Sequence, residues 1–188
     1  MIEPTRTTLL NPTGLRLEDF TADTPLQRPA KSVVEQEPEA IDGVSVTSLK
    51  VNSDGRGSLS ELLTTRGDPI EPIVHVYHVR ALAGSIRAWV YHRLQSDRLA
   101  FCEGLFEIAL YDIRLGSPTM NRLAVFRLGS ERPALLRIPP FVIHGVVNIG
   151  HDVASFVNMP TQAYNPEDPD KYRLAYGDPR IPHRFHGT

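Results

Sequence analysis

A chain of 188 residues with a formal net charge of -2 is long enough for one domain plus an arm, and its charge gives no electrostatic case for a nucleic-acid partner. At 41 % hydrophobic and 22 % charged residues it has the composition of a globular protein, and no apolar stretch reaches the length of a membrane span. A single cysteine, Cys102, excludes an intrachain disulfide and a cysteine zinc site. It sits in the apolar run LAFCEG and is expected to be a small buried hydrophobe.

The opening MIEPTRTTLL lacks a charged lead into an apolar stretch, so the expectation is a cytoplasmic protein with no membrane partner. The cations are 17 Arg and only 3 Lys, a balance that suits carboxylate or phosphate recognition and equally follows from a GC-rich genome. Residues 1–42 hold Pro4, Pro12, Pro25, Pro29 and Pro38 and show little periodicity. They are expected to form an extended arm, with LRLEDFTAD as one possible short helix.

From residue 43 to 164 the pattern changes. Short runs rich in Val, Ile, Leu, Phe and Tyr recur about every ten residues, separated by turn-formers such as NSDGRG, LGSPT and GSERP. Many short strands at even spacing predict an all-β sandwich or barrel. Residues 165–188 read as a closing segment rich in Pro and Asp, with one helical turn after Pro166.

Two stretches narrow the class. GSIRAWVYHR (84–93) is a strand that carries His92, and Glu103-Gly104 closes a hairpin after it. RIPPFVIHGVVN (137–148) is a strand, a proline turn and a second strand carrying His144 and Asn148. Together they resemble the two motifs of cupins, double-stranded β-helix barrels of the jelly-roll type. Phe141 stands where cupins favour Gly, and Val90 stands where the first motif should hold a histidine. A cupin metal site takes His and carboxylate ligands. Here only His92 and His144 fill such places, and Asp97 or His75 would have to complete the set. The expectation is therefore no metal and no cofactor.

Five stretches in order resemble the dTDP-4-dehydrorhamnose 3,5-epimerase family, a metal-free cupin branch. DGRGSLSEL (54–62) is similar to its D-x-R-G-x-x-x-E opening and GSIRAWVYH to its G-V-L-R-G-L-H-Y-Q strand. DRLAFCEGLFEIALYDIRLGSPT resembles its K-L-V-x-x-x-x-G-x-x-x-D-V-x-V-D-x-R-x-x-S-P-T run. IPPFVIHGVVN resembles I-P-x-G-F-A-H-G-F, and AYNPEDPDKYRLAYGDPRI resembles the family's tail.

The resemblance implies a substrate in which a 4-keto-6-deoxyhexose is carried on a nucleotide. It implies a His base oriented by an Asp, a cationic or His cluster at the enolate oxygen, and a Tyr that returns a proton from the opposite face. Carried over by position, the opening Arg and Glu fall on Arg56 and Glu61, the strand Arg on Arg87, and the enolate Lys on Arg98. The second-motif His falls on His144 and the orienting Asp on Asp178. The family's Gln and Asn before the strand fall on His75 and Tyr77. The base position is Val90 and the acid position is Asn158, so both proton carriers are replaced. Strand residues two apart share a face. His92, about 7 Å beyond Val90 at the usual rise, then becomes the candidate to take over proton transfer with His144. Trp89 is expected to pack in the core, with Tyr91 on its face.

Three functions fit: an epimerase or isomerase on a nucleotide sugar, a non-catalytic sugar-nucleotide binder, or a metal-dependent cupin using His92 and His144. The resemblance also implies a homodimer in which residues 1–42 lie on the partner.

Overall fold

A computed structural model describes residues 34–35, 41–64 and 71–186. The arm up to residue 40, apart from the backbone of β1, and the expected LRLEDFTAD helix lie outside the described residues. Thirteen strands follow one another: β1 Val34–Glu35, β2 Ser45–Ser48, β3 Val51–Asp54, β4 Gly57–Ser60, β5 Tyr77–Ala81, β6 Ile86–Tyr91, β7 Asp97–Glu103, β8 Leu105–Asp112, β9 Leu123–Gly129, β10 Ala134–Ile138, β11 Val142–Asn148, β12 Ala154–Asn158 and β13 Tyr172–Arg173. No helix occurs among the described residues, so the turn expected after Pro166 is irregular chain instead. Two prolines, Pro166 and Pro169, bracket that stretch, and a proline disfavours the α conformation in the residue before it.

All pairings are antiparallel. One sheet has the order β1-β2-β10-β7-β12-β5, the second β13-β6-β11-β8-β9, and β3-β4 is a separate hairpin. The nesting of non-consecutive strands is that of a jelly-roll, as the two cupin-like stretches lead one to expect.

Alternation along the strands builds two apolar layers. Leu99, Phe101, Phe106, Ile108, Leu110, Phe126, Leu136, Val142, Val146 and Phe156 fill the space between the sheets. Phe101, Phe106 and Phe156 meet there with ring centroids 5.0 to 5.5 Å apart. Trp89, Ile143 and Val147 face the other way and are covered by Leu174, Tyr176, Ile181 and Phe185 of the closing segment. Tyr91 shares that outer face with Trp89. Covered on both sides, β11 is buried along its whole length.

Gly104 makes the tight β7–β8 turn at φ +77, and a Cβ on it would lie 2.2 Å from Ala154 Cβ. Cys102 is half-buried rather than buried. It stands next to the turn, where the strand leaves the core.

Candidate functional site

The apolar layer between the sheets stops at one end, where polar side chains replace it. There a cavity of about 330 Å³ opens between Ile86, Ala88, Val90, His92, His144 and Val146 of one sheet and Tyr77, Val79, Asp97, Leu99, Phe156 and Asn158 of the other. Strand parity accounts for most of the lining, with Arg87 as an exception on β6. On β6 and the residue after it, 86, 88, 90 and 92 share the inner face, so His92 enters the cavity beside Val90. On β7 the inner residues are Asp97, Leu99 and Phe101, which sends Arg98 outward. On β11 His144 stands opposite Val90, and on β12 Asn158 stands between Leu99 and Tyr77.

A cluster of three buried groups forms the polar end. His92 Nε2 lies 3.3 Å and His144 Nε2 3.2 Å from the same oxygen, Asp97 Oδ2. Exposures of 8 %, 4 % and 6 % for His92, Asp97 and His144 put these charges where water screens them little. The other oxygen, Asp97 Oδ1, accepts from Gln95 Nε2 at 2.8 Å and Asn158 Nδ2 at 3.1 Å. Burial by itself would raise the Asp97 pKa, but the bonds from His144 and His92 and their charges outweigh it and hold the carboxyl far below the usual carboxylate range.

His92 has an acceptor at each ring nitrogen. Nε2 faces Asp97, and Nδ1 bonds the Asp170 carbonyl. Only the imidazolium can donate to both. Burial pulls the His92 pKa down, and the Asp97 bond and charge together with the Asp170 carbonyl more than reverse it, so the net shift is upward. His144 Nδ1 lies 3.2 Å from the Val142 carbonyl.

The closing segment completes the wall. Arg173 pairs with Val90 and Tyr172 with Tyr91 in the β13–β6 register. One carboxylate, Asp170, accepts the backbone N–H groups of Arg93, Leu94 and Gln95 at 2.8, 2.8 and 3.0 Å, which fixes the turn between β6 and β7. Lys171 and Arg173 line the cavity with Arg87. Burial, then the neighbouring charges of Arg173 and Arg87, lower the Lys171 pKa against the pull of Asp97.

Of the residues expected from the sequence, His92, His144, Arg87 and Asn158 meet at this cavity. The others do not line it. Arg98 gives its guanidinium to the carbonyls of Met159, Glu71 and Pro72 at 2.6, 2.8 and 3.0 Å. Asp178 is bonded to Arg180 at 2.9 and 2.7 Å and closes a turn in the tail; the carboxylate that holds the histidines is Asp97. Arg56 is exposed and paired with Asp54, Glu61 is exposed just after β4, and His75 packs its ring 5.5 Å from Tyr77 outside the lining. The sequence gives Asp97 only a metal-ligand place and sets Tyr77 at the family's Asn position with no part in proton transfer, and it does not single out Lys171 or Arg173.

The amino-acid sequence of residues 38–185 matches the family model for dTDP-4-dehydrorhamnose 3,5-epimerase. The chain belongs to that family. The spore coat polysaccharide biosynthesis protein SpsL of Bacillus subtilis is 34 % identical over 141 residues, which cover 75 % of this chain and 93 % of SpsL. The probable low-salt glycan biosynthesis epimerase Agl13 of Haloferax volcanii is 36 % identical over 139 residues, covering 72 % and 88 %. Among solved structures, the dTDP sugar isomerase of Desulfovibrio desulfuricans superposes with a TM-score of 0.72 at 27 % identity, covering 76 % of this chain and 90 % of that one. The dTDP-6-deoxy-D-glucose-3,5-epimerase of Legionella pneumophila, in complex with dTDP-4-keto-L-rhamnose, gives 0.65 at 25 %, covering 74 % and 77 %.

Within this epimerase family the pattern K-L-V-x-x-x-x-G can be counted on the chain itself. Seven residues back from Gly104 is Asp97, so the lysine position of the pattern is Asp97 and not Arg98. The register agrees, because Asp97 faces the cavity.

Proposed function

We propose that the chain is an epimerase or isomerase of a nucleotide-linked 4-keto-6-deoxy sugar, with proton transfer built on the His92–Asp97–His144 cluster. The observation that carries this reading is a single carboxylate oxygen within 3.3 Å of both imidazole Nε2 atoms, in the wall of a cavity large enough for a sugar. The Asp97 bond and charge and the Asp170 carbonyl favour the cation on His92. His144 then takes the proton from the carbon beside the ketone. Asp97 stabilises the imidazolium that forms. His92, with both N–H groups held by Asp97 and the Asp170 carbonyl, adds its positive charge to the cavity wall where negative charge develops. The cations Arg87, Lys171 and Arg173 receive the diphosphate.

The test offers the purified protein dTDP-, UDP-, GDP- and CDP-linked 4-keto sugars in deuterated water. The expected result is deuterium at C3 or C5 with at least one nucleotide. No incorporation with any of them sinks the reading. The same reading includes a cytoplasmic homodimer, which light scattering tests as twice the 21.0 kDa chain mass.

A second reading keeps the same three side chains as ligands of a divalent cation, because their donor atoms all lie within 4.8 Å of one another and the cavity leaves positions open for substrate. One equivalent of metal in protein purified without a histidine tag, lost in Asp97→Asn, establishes it. Sub-stoichiometric metal removes it.

A further inference from the structure

We infer that Tyr77 is the proton donor of this site, resting on the proposed epimerase chemistry. The family resemblance puts its tyrosine acid at position 158, where this chain has Asn. The β12–β5 pairing places Tyr77 directly opposite Asn158 on the adjacent strand. Directly paired residues of an antiparallel ladder share a face and sit about 5 Å apart at Cβ. A phenol lost from β12 is thus replaced by one from β5, and Tyr77 lines the same cavity.

The hydrogen bonding suits a donor. Asn158 Nδ2 donates to the Tyr77 hydroxyl oxygen at 2.7 Å. The phenol is the acceptor in that bond, so its own hydrogen is left to point into the cavity. Asn158 is itself fixed: it is 2 % exposed, its Nδ2 also reaches Asp97 Oδ1 at 3.1 Å, and its Oδ1 accepts from the Arg98 backbone at 3.3 Å. The residue standing at the old acid position therefore orients the new acid. Burial first, and the Asp97 charge second, raise the Tyr77 pKa, while the Asn158 bond acts the other way; the group stays protonated in the resting state.

The position also suits inversion. Tyr77 belongs to the β5–β12–β7 wall, whereas His144 is on β11 in the facing sheet. A sugar ring lying between the sheets would meet the base from one side and the phenol from the other. The step balances without a further reagent. The C–H bond beside the ketone breaks as an Nε2–H bond forms on His144, whose Nδ1–H stays on the Val142 carbonyl and whose Nε2 gives up its approach to Asp97 Oδ2, leaving an enolate. The Tyr77 O–H bond then breaks as a new C–H bond forms on the opposite face. The phenolate left behind accepts the Asn158 N–H, and water restores both groups after release.

The experiment compares wild type, Tyr77→Phe and the double variant Tyr77→Phe/Asn158→Tyr. Epimer formation, dTDP affinity and thermal melting are measured on the nucleotide sugar that wild type turns over. We expect Tyr77→Phe to bind dTDP and melt as wild type does, with epimer formation down about 10²- to 10³-fold. Moving the phenol back to position 158 should recover at least tenfold of that loss. Wild-type epimerisation by Tyr77→Phe overturns the inference. So does a loss of rate that only parallels lost binding or lost fold and is not recovered in the double variant. Wild-type protein that turns over none of the sugars tests the function itself, and the Tyr77 assignment then falls with it.

Discussion

Val90 stands directly opposite His144 in the β6–β11 pairing, so the two side chains share the cavity face. One of the pair can move a proton and the other cannot. Val90→His would place a second imidazole beside His144 at the position where the epimerase pattern has its base. A placed base contributes about 10² to 10⁴ in rate. Deuterium wash-in by Val90→His should rise at least tenfold over wild type, followed by NMR of the sugar protons.

Under the proposed chemistry Asp97 sets the pH range of activity. His92 has a raised pKa in the folded protein and acts as the cation, so kcat/KM should fall as pH rises through that value, above the ordinary 6.5 of histidine. The groups facing it are Asp97 from β7, His144 from β11, and the Asp170 carbonyl and carboxylate from the closing segment. Asp97→Asn removes the bond and charge that raise the pKa and leaves the burial that lowers it. The basic limb should move to lower pH, and the maximal rate should drop about 10²-fold or more. A limb that stays in place in the pH profile would separate His92 from the reaction.

Asp170 holds the turn that carries Gln95 toward Asp97. Asp170→Ala removes the carboxylate from three backbone N–H groups. Hydrogen bonds to a charged group are each worth roughly 1.5 to 3 kcal/mol, and water replaces part of the loss at this partly open turn. The net cost should be about 2 to 3 kcal/mol in urea unfolding. Asp170→Asn should recover part of it.

Gly145 lets β11 lie close to β6 next to His144. A Cβ there would stand 2.6 Å from Ala88 Cβ and 3.0 Å from both the Phe185 and Trp89 rings. Gly145→Ala should cost about 1 to 3 kcal/mol by overpacking, read as a lower melting temperature. Activity should fall with it, since the displaced strands carry Val90 and His144.

Chelation separates the proton cluster from a metal centre. Under the proton-transfer reading, dialysis against EDTA leaves deuterium wash-in unchanged, and added zinc or manganese does not raise it. A rate that is lost on chelation and regained with one equivalent of metal would favour the ligand reading of His92, Asp97 and His144.

The architecture was legible because it is written in local signals. Turn-formers punctuate short apolar runs, and two cupin-like stretches fix which strands face each other. Phe141 shows how far such a pattern tolerates exceptions: it takes φ +61, the conformation that favours Gly in the motif, while stacking on Tyr91 with centroids 6.1 Å apart. The inward direction of His92 also followed from strand parity. Arg98 did not, because a shift of one residue along a strand moves a side chain to the opposite face. Counting from Gly104 would have corrected it. Asp178 has the sequence of a binding carboxylate and the geometry of a turn, and its bonds to Arg180, away from the cavity lining, tell the two apart. The position of Tyr77 was legible but its contact with Asn158 was not, since that depends on a pairing between residues 81 apart in the chain.

The meeting of His92 and Asp97 across a single turn also bears on how related chains are recognised in genomes. A search pattern that demands histidine at the position of Val90 discards this chain. A pattern written on His92, the carboxylate five residues later and the histidine of β11 retains it. Chains set aside as inactive because they lack the first histidine can be sorted again by that spacing, and those that also carry tyrosine opposite the position of Asn158 are the ones to assay first.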